Sequence, residues 1–364
     1  MLQSLKPLTT TKTTPSVGTR VGNTKVSGRI ESFEAELTRL NERIQEFKEL
    51  MLQADSAALK NQGQVPLALL EKAKLDFCEL VLQLNITIGT ESALPTEVKA
   101  RVGATLQREF LPYLALTETA DRFYAKPRGY AGDFLTIAMM YENKPGGNGR
   151  IGALVDACFL ATPAAAAVRN RRHLLGKLID ETLARNNETT THITSLACGP
   201  AQELFDVYDN LDAPSRLRCS LIDLDLQALA FVMDKASERK LNRFMEAHNQ
   251  NLLHLASGRN KIKLPQQDLM YSIGLIDYFS DNFVVQLLNF IHDQLKRGGS
   301  VVLGNFHPSN HTRALMDHVL EWKLIHRDEE DMHRLFALSK FGKTADAIHF
   351  EEEGINLFAQ CYKD

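Results

Sequence analysis

The sequence predicts an α/β protein: an open, mostly parallel sheet covered by helices and preceded by an all-helical region. Two patterns and one turn predict it. Between residues 193 and 320 short apolar runs alternate with amphipathic stretches, which implies right-handed crossovers and a sheet buried on both faces. The run ending at Leu196 leads into a tight turn holding Gly199, and the next run ends in an acid, Asp223, about twenty residues on. Upstream, Ile30, Phe33, Leu37, Leu40, Ile44, Phe47 and Met51 recur at three- and four-residue steps with charged residues between them, the stripe of a long amphipathic helix.

Taken in chain order, residues 1–29 lack Asp and Glu, carry several Thr and Ser, and space out Lys6, Lys12, Arg20, Lys25 and Arg29. They read as a disordered tail. The composition is also that of an organellar transit peptide, but the Arg-rich amphipathic helix of such a peptide is missing. The helix over 30–51 packs on its own domain or forms a coiled-coil seam, and a homodimer through the N-terminal helices follows from the second reading. Pro66 and Pro95 open further helices, so 30–150 reads as a helical N-terminal or lid domain. The run Lys144-Pro145-Gly146-Gly147-Asn148-Gly149 breaks the pattern. Within a connecting segment, 151–190, Thr162 and Pro163 supply a cap and a first-turn proline for a helix that Asn186-Asn187 ends. The domain at 191–364 holds predicted strands at 193–197, 219–223, 243–247, 268–274 and 299–306, with helices near 201–208, 226–239, 281–296 and 310–320 between and after them. Trp322–His326 and Ile355–Cys361 are predicted to close the sheet as a further strand pair.

Composition narrows the classes of function. The 364 residues suffice for two domains and a substantial core. A formal charge of -3 gives no electrostatic reason to expect nucleic acid as a partner. Cys78, Cys158, Cys198, Cys219 and Cys361 are scattered and include no CxxC pair, which points to reduced thiols and a cytoplasmic setting. Apolar runs are too short for a membrane span.

In an open α/β sheet ligands bind at the carboxyl ends of the strands. That rule nominates Ala197, Gly199, Pro200, Ala201 and Glu203 after the first strand, and Asp223 and Asp225 after the second. Asp223, ending the apolar run, suits a ribose diol, whereas Asp225 also fits a helix N-cap. Ser272, Gly274 and Asp277 follow the fourth strand and His307 the fifth. A dinucleotide fingerprint wants glycine at the first, third and sixth positions of its turn; here these are Gly199, Ala201 and Leu204, a poor fit to NAD or FAD. The helical part adds Lys126-Pro127-Arg128-Gly129-Tyr130-Ala131-Gly132-Asp133. This loop either closes over the sheet as a lid, bringing Arg128 or Tyr130 to a substrate carboxylate, or is a turn capping the helix that begins at Asp133. His307 and His311 stand four apart but straddle a predicted loop, so no metal site is expected.

The turn, with one indispensable glycine, alanine tolerated and Glu203 early in the helix, looks like the first motif of class I S-adenosylmethionine (SAM) methyltransferases. The runs KPRGYAGDFLTIAMMY (126–141), SLACGPAQE (195–203), LIDLD (221–225), DLMYSIGLIDYFSD (268–281), GNFHPSN (304–310), EWKLIHR (321–327) and GINLFAQ (354–360) together resemble a bacterial family of SAM-dependent methyltransferases. That family makes methyl esters of 3-hydroxy fatty acids such as 3-hydroxypalmitic acid, which act as quorum-sensing signals. The resemblance covers about 120–364 and is weak over the N-terminal helices. It implies a Rossmann-like, seven-stranded class I methyltransferase sheet with an N-terminal all-helical domain, SAM as cofactor, and a small or fatty-acyl carboxylate as methyl acceptor. Gly199, Ala201 and Glu203 would border the methionine end, Asp223 would hold the ribose, and the 274–278 turn would line the methyl-transfer site. A carboxylate acceptor needs no general base; a hydroxyl or amine would need one, and Asp277 or His307 would then be candidates. Two other uses of SAM fit the same residues: transfer of another alkyl group or cyclisation releasing methylthioadenosine, and a non-catalytic SAM-binding interaction protein.

Overall fold

The structure is a computed structural model that describes residues 23–186 and 190–364. The helical part comprises α1 (Asn23–Lys60), α2 (Leu67–Ile88), α3 (Thr96–Leu114), α4 (Thr119–Ala125), α5 (Phe134–Glu142), α6 (Gly152–Leu160) and α7 (Pro163–Arg185). Pro66 and Pro95 stand at the N-caps of α2 and α3 as expected. The start of α1 lies inside the expected tail: residues 23–29 are helical, since no proline interrupts them and extension past a formed nucleus is easy even through Gly28. Residues 1–22 of that tail, and Asn187 at the expected end of α7, lie outside the described residues.

Of the stripe on α1, Leu40, Ile44, Phe47 and Met51 are buried. Phe47 sits 5.5 Å from Phe77 on α2 and 5.6 Å from Phe110 on α3, ring centroid to ring centroid, so this stripe is satisfied within its own chain. The side chains of Ile30 and Phe33 are outside the described set. Thr162 departs from its expected role: it occupies the N-cap of α7, but its hydroxyl donates back to the Phe159 carbonyl and caps nothing. No single helix among the described residues is long and apolar enough to cross a membrane.

The sheet has seven strands: β1 (Thr191–Leu196), β2 (Leu217–Asp223), β3 (Met245–Asn249), β4 (Gln267–Ser272), β5 (Leu295–Phe306), β6 (Ala347–Phe350) and β7 (Asn356–Tyr362). Their order is β3-β2-β1-β4-β5-β7-β6. The first five run parallel, and β7 is antiparallel to both β5 and β6. Period-two alternation sorts side chains onto two faces. Ile193, Leu221, Tyr271, Val302 and Phe358 pack with α7, α8 (Gln202–Asp209) and α9 (Leu226–Glu238). Their neighbours Leu196, Ile222, Met270, Leu303 and Leu357 face α10 (Leu252–Ala256), α11 (Asp281–Gln294) and α13 (Glu329–Leu338). The short α12 (Arg313–His318) joins the apolar cluster of the N-terminal helices, which also takes in Phe306 and Ile355 at the end of the sheet.

One predicted strand is absent. Residues 322–326 form no strand, and the partner of β7 is β6 instead. The backbone of this segment is committed elsewhere: Ile325 N–H donates to the Asp277 carbonyl and Arg327 N–H to that of Phe306. Trp322 is buried against Phe123, at 4.5 Å between ring centroids. The third strand also sits two residues later than expected.

Asp156 on α6 organises the connections around it. Fully buried, it accepts from the backbone N–H groups of Thr119, Ala120 and Gly146 and from the Thr119 hydroxyl, so it supplies the acceptors that the start of α4 lacks. Asp156→Ala strands those donors in a dry environment and should destabilise the protein by about 3 kcal/mol or more, measured by urea unfolding.

Candidate active site

The exit of β1 is a zigzag. Ala197, Gly199 and Ala201 all adopt left-handed backbone, with φ of 52°, 51° and 46°. Each such alanine costs about 1 kcal/mol or slightly more, so the conformation is held from outside. One holder is Asp223 at the end of β2: its carboxylate accepts from Gly199 N–H at 3.0 Å and Asp225 N–H at 2.9 Å. A Cβ on Gly199 would touch nothing, so glycine is needed there for its backbone and not for room. Burial lifts the Asp223 carboxyl above the usual carboxylate range, while the two N–H groups pull the other way.

Beside this clamp lies a cavity of about 550 Å³, within the ordinary range for a small-molecule site. Its floor is the strand exits: Ala197 and Gly199 after β1, Asp223, Leu224 and Asp225 after β2, Gln250 to Leu253 after β3, Gly274 and Leu275 after β4. Tyr278, Phe279 and Phe283 extend the β4 side, and Arg128, Tyr130, Gly132 and Phe134 of the glycine-rich loop form the opposite wall. The capping reading of that loop holds: Asp133 caps α5, accepting from Leu135 and Thr136 N–H. The same loop lies against the strand exits, with Arg128 turned to Asp225. Arg128 fastens it, with a bidentate ion pair to Asp225 at 2.6 and 2.8 Å and its guanidinium 5.1 Å from the centre of the Phe134 ring. Asp225 likewise serves twice, since it also caps α9 through Gln227 N–H.

The structure therefore brings Arg128, Tyr130, Ala197, Gly199, Asp223, Asp225 and Gly274 together around one cavity. Other nominated residues stand behind it or away from it. Pro200 and Ala201 are buried in the turn. Glu203 is buried under the sheet, accepting from the Tyr271 hydroxyl at 2.8 Å. Ser272 donates to the Leu196 carbonyl. His307 lies past the end of β5, its ring between Ser309 and Glu329, and is not part of the cavity wall. The stretch Gln250–Leu253 is not among the sequence-nominated residues, although it stands at the exit of β3, the remaining parallel strand, where the strand-exit rule also applies.

Asp277 is also outside the wall. Its carboxylate accepts from Phe306 N–H at 2.6 Å, and burial lifts its pKa to about 6. Arg327 braces the same turn, donating to the carbonyls of Ile276 and Phe279 and to the side chains of Asn305 and Asp281. A carboxyl whose folded pKa is raised costs stability where it is ionised: the cost is full above about pH 6 and disappears as pH falls toward 4. Asp277→Asn keeps the acceptor for Phe306 and removes the charge. Chemical denaturation should show a gain at pH 7.5, on the order of 3 kcal/mol at most, and a flatter stability profile between pH 4 and 7. Arg128→Ala should release the loop, speeding amide exchange of residues 128–132 at least tenfold with little change in melting temperature.

Comparison with known proteins places the chain in a family. A family model described as "Putative methyltransferase" matches residues 129–356. No curated protein matches the chain. Among solved structures, a "possible exported protein" from Bordetella parapertussis is similar at a TM-score of 0.58 and 19% identity, covering 81% of this chain and 96% of that one, a likeness of fold alone. A magnesium protoporphyrin IX methyltransferase from Synechocystis, solved with bound SAM, gives a TM-score of 0.40 at 9% identity over 55% of this chain and 83% of its own. An N-methyltransferase from Bradyrhizobium japonicum gives 0.36 at 12%, over 54% and 95%. The family match begins at Gly129, just after Arg128, and takes in the rest of the loop, the other cavity residues and nearly the whole sheet; the chain belongs to this methyltransferase family.

Proposed function

We propose that this methyltransferase uses SAM to methylate a carboxylate, giving the methyl ester of a 3-hydroxy fatty acid or a similar small or lipid acid. The observation that carries this reading is the make-up of the cavity wall. Among the described residues, the wall contains no histidine, lysine, cysteine or glutamate. Its two carboxylates are engaged, Asp223 by backbone N–H groups and Asp225 by Arg128. Burial beside those acids pushes the Tyr130 phenol up to about 12, so it stays protonated at neutral pH. Apart from Asp223, whose oxygens hold the β1 and β2 exits, no lining group is placed to take a proton, and an acceptor that arrives ionised needs none.

The residues present suit SAM. Asp223, fixed by two N–H donors, keeps acceptor capacity for a ribose diol, and the carboxylates of the β2 exit favour a cationic ligand over a phosphate. Leu224, Leu252 and Leu253 offer an apolar surface for a base. When bound, SAM supplies a methyl group on a sulfonium centre, whose displacement by a carboxylate oxygen gives the ester and a neutral thioether. The chain's own contribution is alignment and exclusion of water. The Arg128–Asp225 pair holds the loop shut over the strand exits, while Leu275, Phe279 and Phe283 wall the β4 side with apolar surface that fits an acyl chain.

Incubation with methyl-labelled SAM and 3-hydroxypalmitate, followed by mass spectrometry, should yield labelled methyl ester and S-adenosylhomocysteine. Methylthioadenosine as product, or no turnover of any carboxylic acid, would overturn the reading. Asp223→Ala should weaken S-adenosylhomocysteine binding at least tenfold, about 1.4 kcal/mol. His307→Gln should leave turnover within twofold.

A further inference from the structure

Arg171, on α7, is a buried cation with the Tyr141 phenol beside it, whose charge neither the fold nor the site described above employs. It is 6% exposed, and its Nε has no hydrogen-bond partner. Its chain neighbour Arg172 is paired with Asp206, and the other deeply buried arginine, Arg327, is paired with Asp281. Arg171 has no carboxylate among the described residues within 4.0 Å. A buried guanidinium left this way is costly unless something else meets it.

Its position shows where that partner would come from. The guanidinium stands behind Gly274, a residue of the cavity wall: a Cβ built there would lie 3.4 Å from Nη1 and 3.5 Å from Nη2. Glycine therefore leaves the wall without a side chain at the one place where the charge lies behind it. The nearby acids are committed elsewhere. Glu203 accepts from the Tyr271 hydroxyl and Asp277 from Phe306 N–H, although both carboxyls, and the phenols of Tyr141 and Tyr278, feel the Arg171 charge. The charge thus stands directly behind the wall at the β4 exit without being spent on an ion pair.

We propose that Arg171 receives the carboxylate of a bound ligand across Gly274. The inference rests on the SAM reading, which offers two sources for that group: the amino-acid end of the cofactor and the acid to be methylated. A guanidinium suits either, since its fork matches a carboxylate and its charge survives burial.

Calorimetry on the full chain separates the sources. S-adenosylhomocysteine is compared with methylthioadenosine, which lacks the amino-acid carboxylate, and 3-hydroxypalmitate is compared with hexadecane-1,3-diol on enzyme saturated with S-adenosylhomocysteine. Arg171→Met should weaken one carboxylate ligand at least tenfold while its carboxylate-free counterpart changes less than twofold. Loss confined to S-adenosylhomocysteine assigns Arg171 to the cofactor; loss confined to the fatty acid assigns it to the acceptor. Equal weakening within each pair, or none, overturns the proposal. Arg171→Lys, which keeps the charge but not the fork, guards against a Met variant that fails to fold. There the same selectivity should fall several-fold, and unchanged selectivity in a folded Lys variant with a misfolded Met variant overturns the proposal. Wild-type protein that binds neither nucleoside would remove the cofactor reading, and Arg171's role with it.

Discussion

The hydrogen bond from Gly199 N–H to the Asp223 carboxylate joins the exits of the neighbouring strands β1 and β2, and the cavity takes its shape from it. Without an acceptor at that point the β1 exit would have little reason to stay in alternating left-handed backbone, a conformation that two alanines resist. The bond also fixes Asp223 itself, which is half-buried and would otherwise be expensive to keep ionised. Local strain and local charge are thus offset by the same contact. The side chain proposed to hold the ligand is set before the ligand arrives, so less ordering is required on binding.

A second constraint acts from the helical part. Arg128 reaches 97 residues along the chain to Asp225, and through it a loop from the N-terminal helices becomes the roof of a site built on strand exits. Consequently the helices are not an appendage to the chemistry. The roof also neutralises Asp225, so Asp223 remains as the carboxylate on the cavity floor free of a basic partner. Such an arrangement tolerates a cation and repels a phosphate, which accords with the failure of the turn to match a dinucleotide fingerprint.

Much of this was legible in the sequence because periodicity reports burial. The five parallel strands, the Asp133 cap and the Gly199 turn each rest on a pattern of few residues close in sequence, where local physics decides. What could not be read depended on contacts between distant segments. Trp322–His326 has the composition of a strand, but its backbone donors are taken by Asp277 and Phe306, partners no local pattern reveals. Asp277 and His307 carry functional side-chain types at strand exits, yet the fold turns both away from the cavity toward Phe306 N–H and toward Ser309 and Glu329. Arg171 gave no signal at all, being one basic residue among several on a helix.

The turn after β4 shows how those hidden contacts combine. Arg327 grips it through the carbonyls of Ile276 and Phe279, Asp277 ties it to β5, and Trp322 donates to the Tyr278 hydroxyl at 2.8 Å. Tyr278 in turn stands close against Gly132 in the roof, where a Cβ would lie 3.1 Å from its oxygen. The segment that replaces the expected strand is therefore what presses the β4 turn against the loop. Had residues 322–326 joined the sheet edge, Trp322 would be drawn off Tyr278, the roof and floor would lose their shared contact, and the cavity would open on the side where the acceptor is proposed to lie.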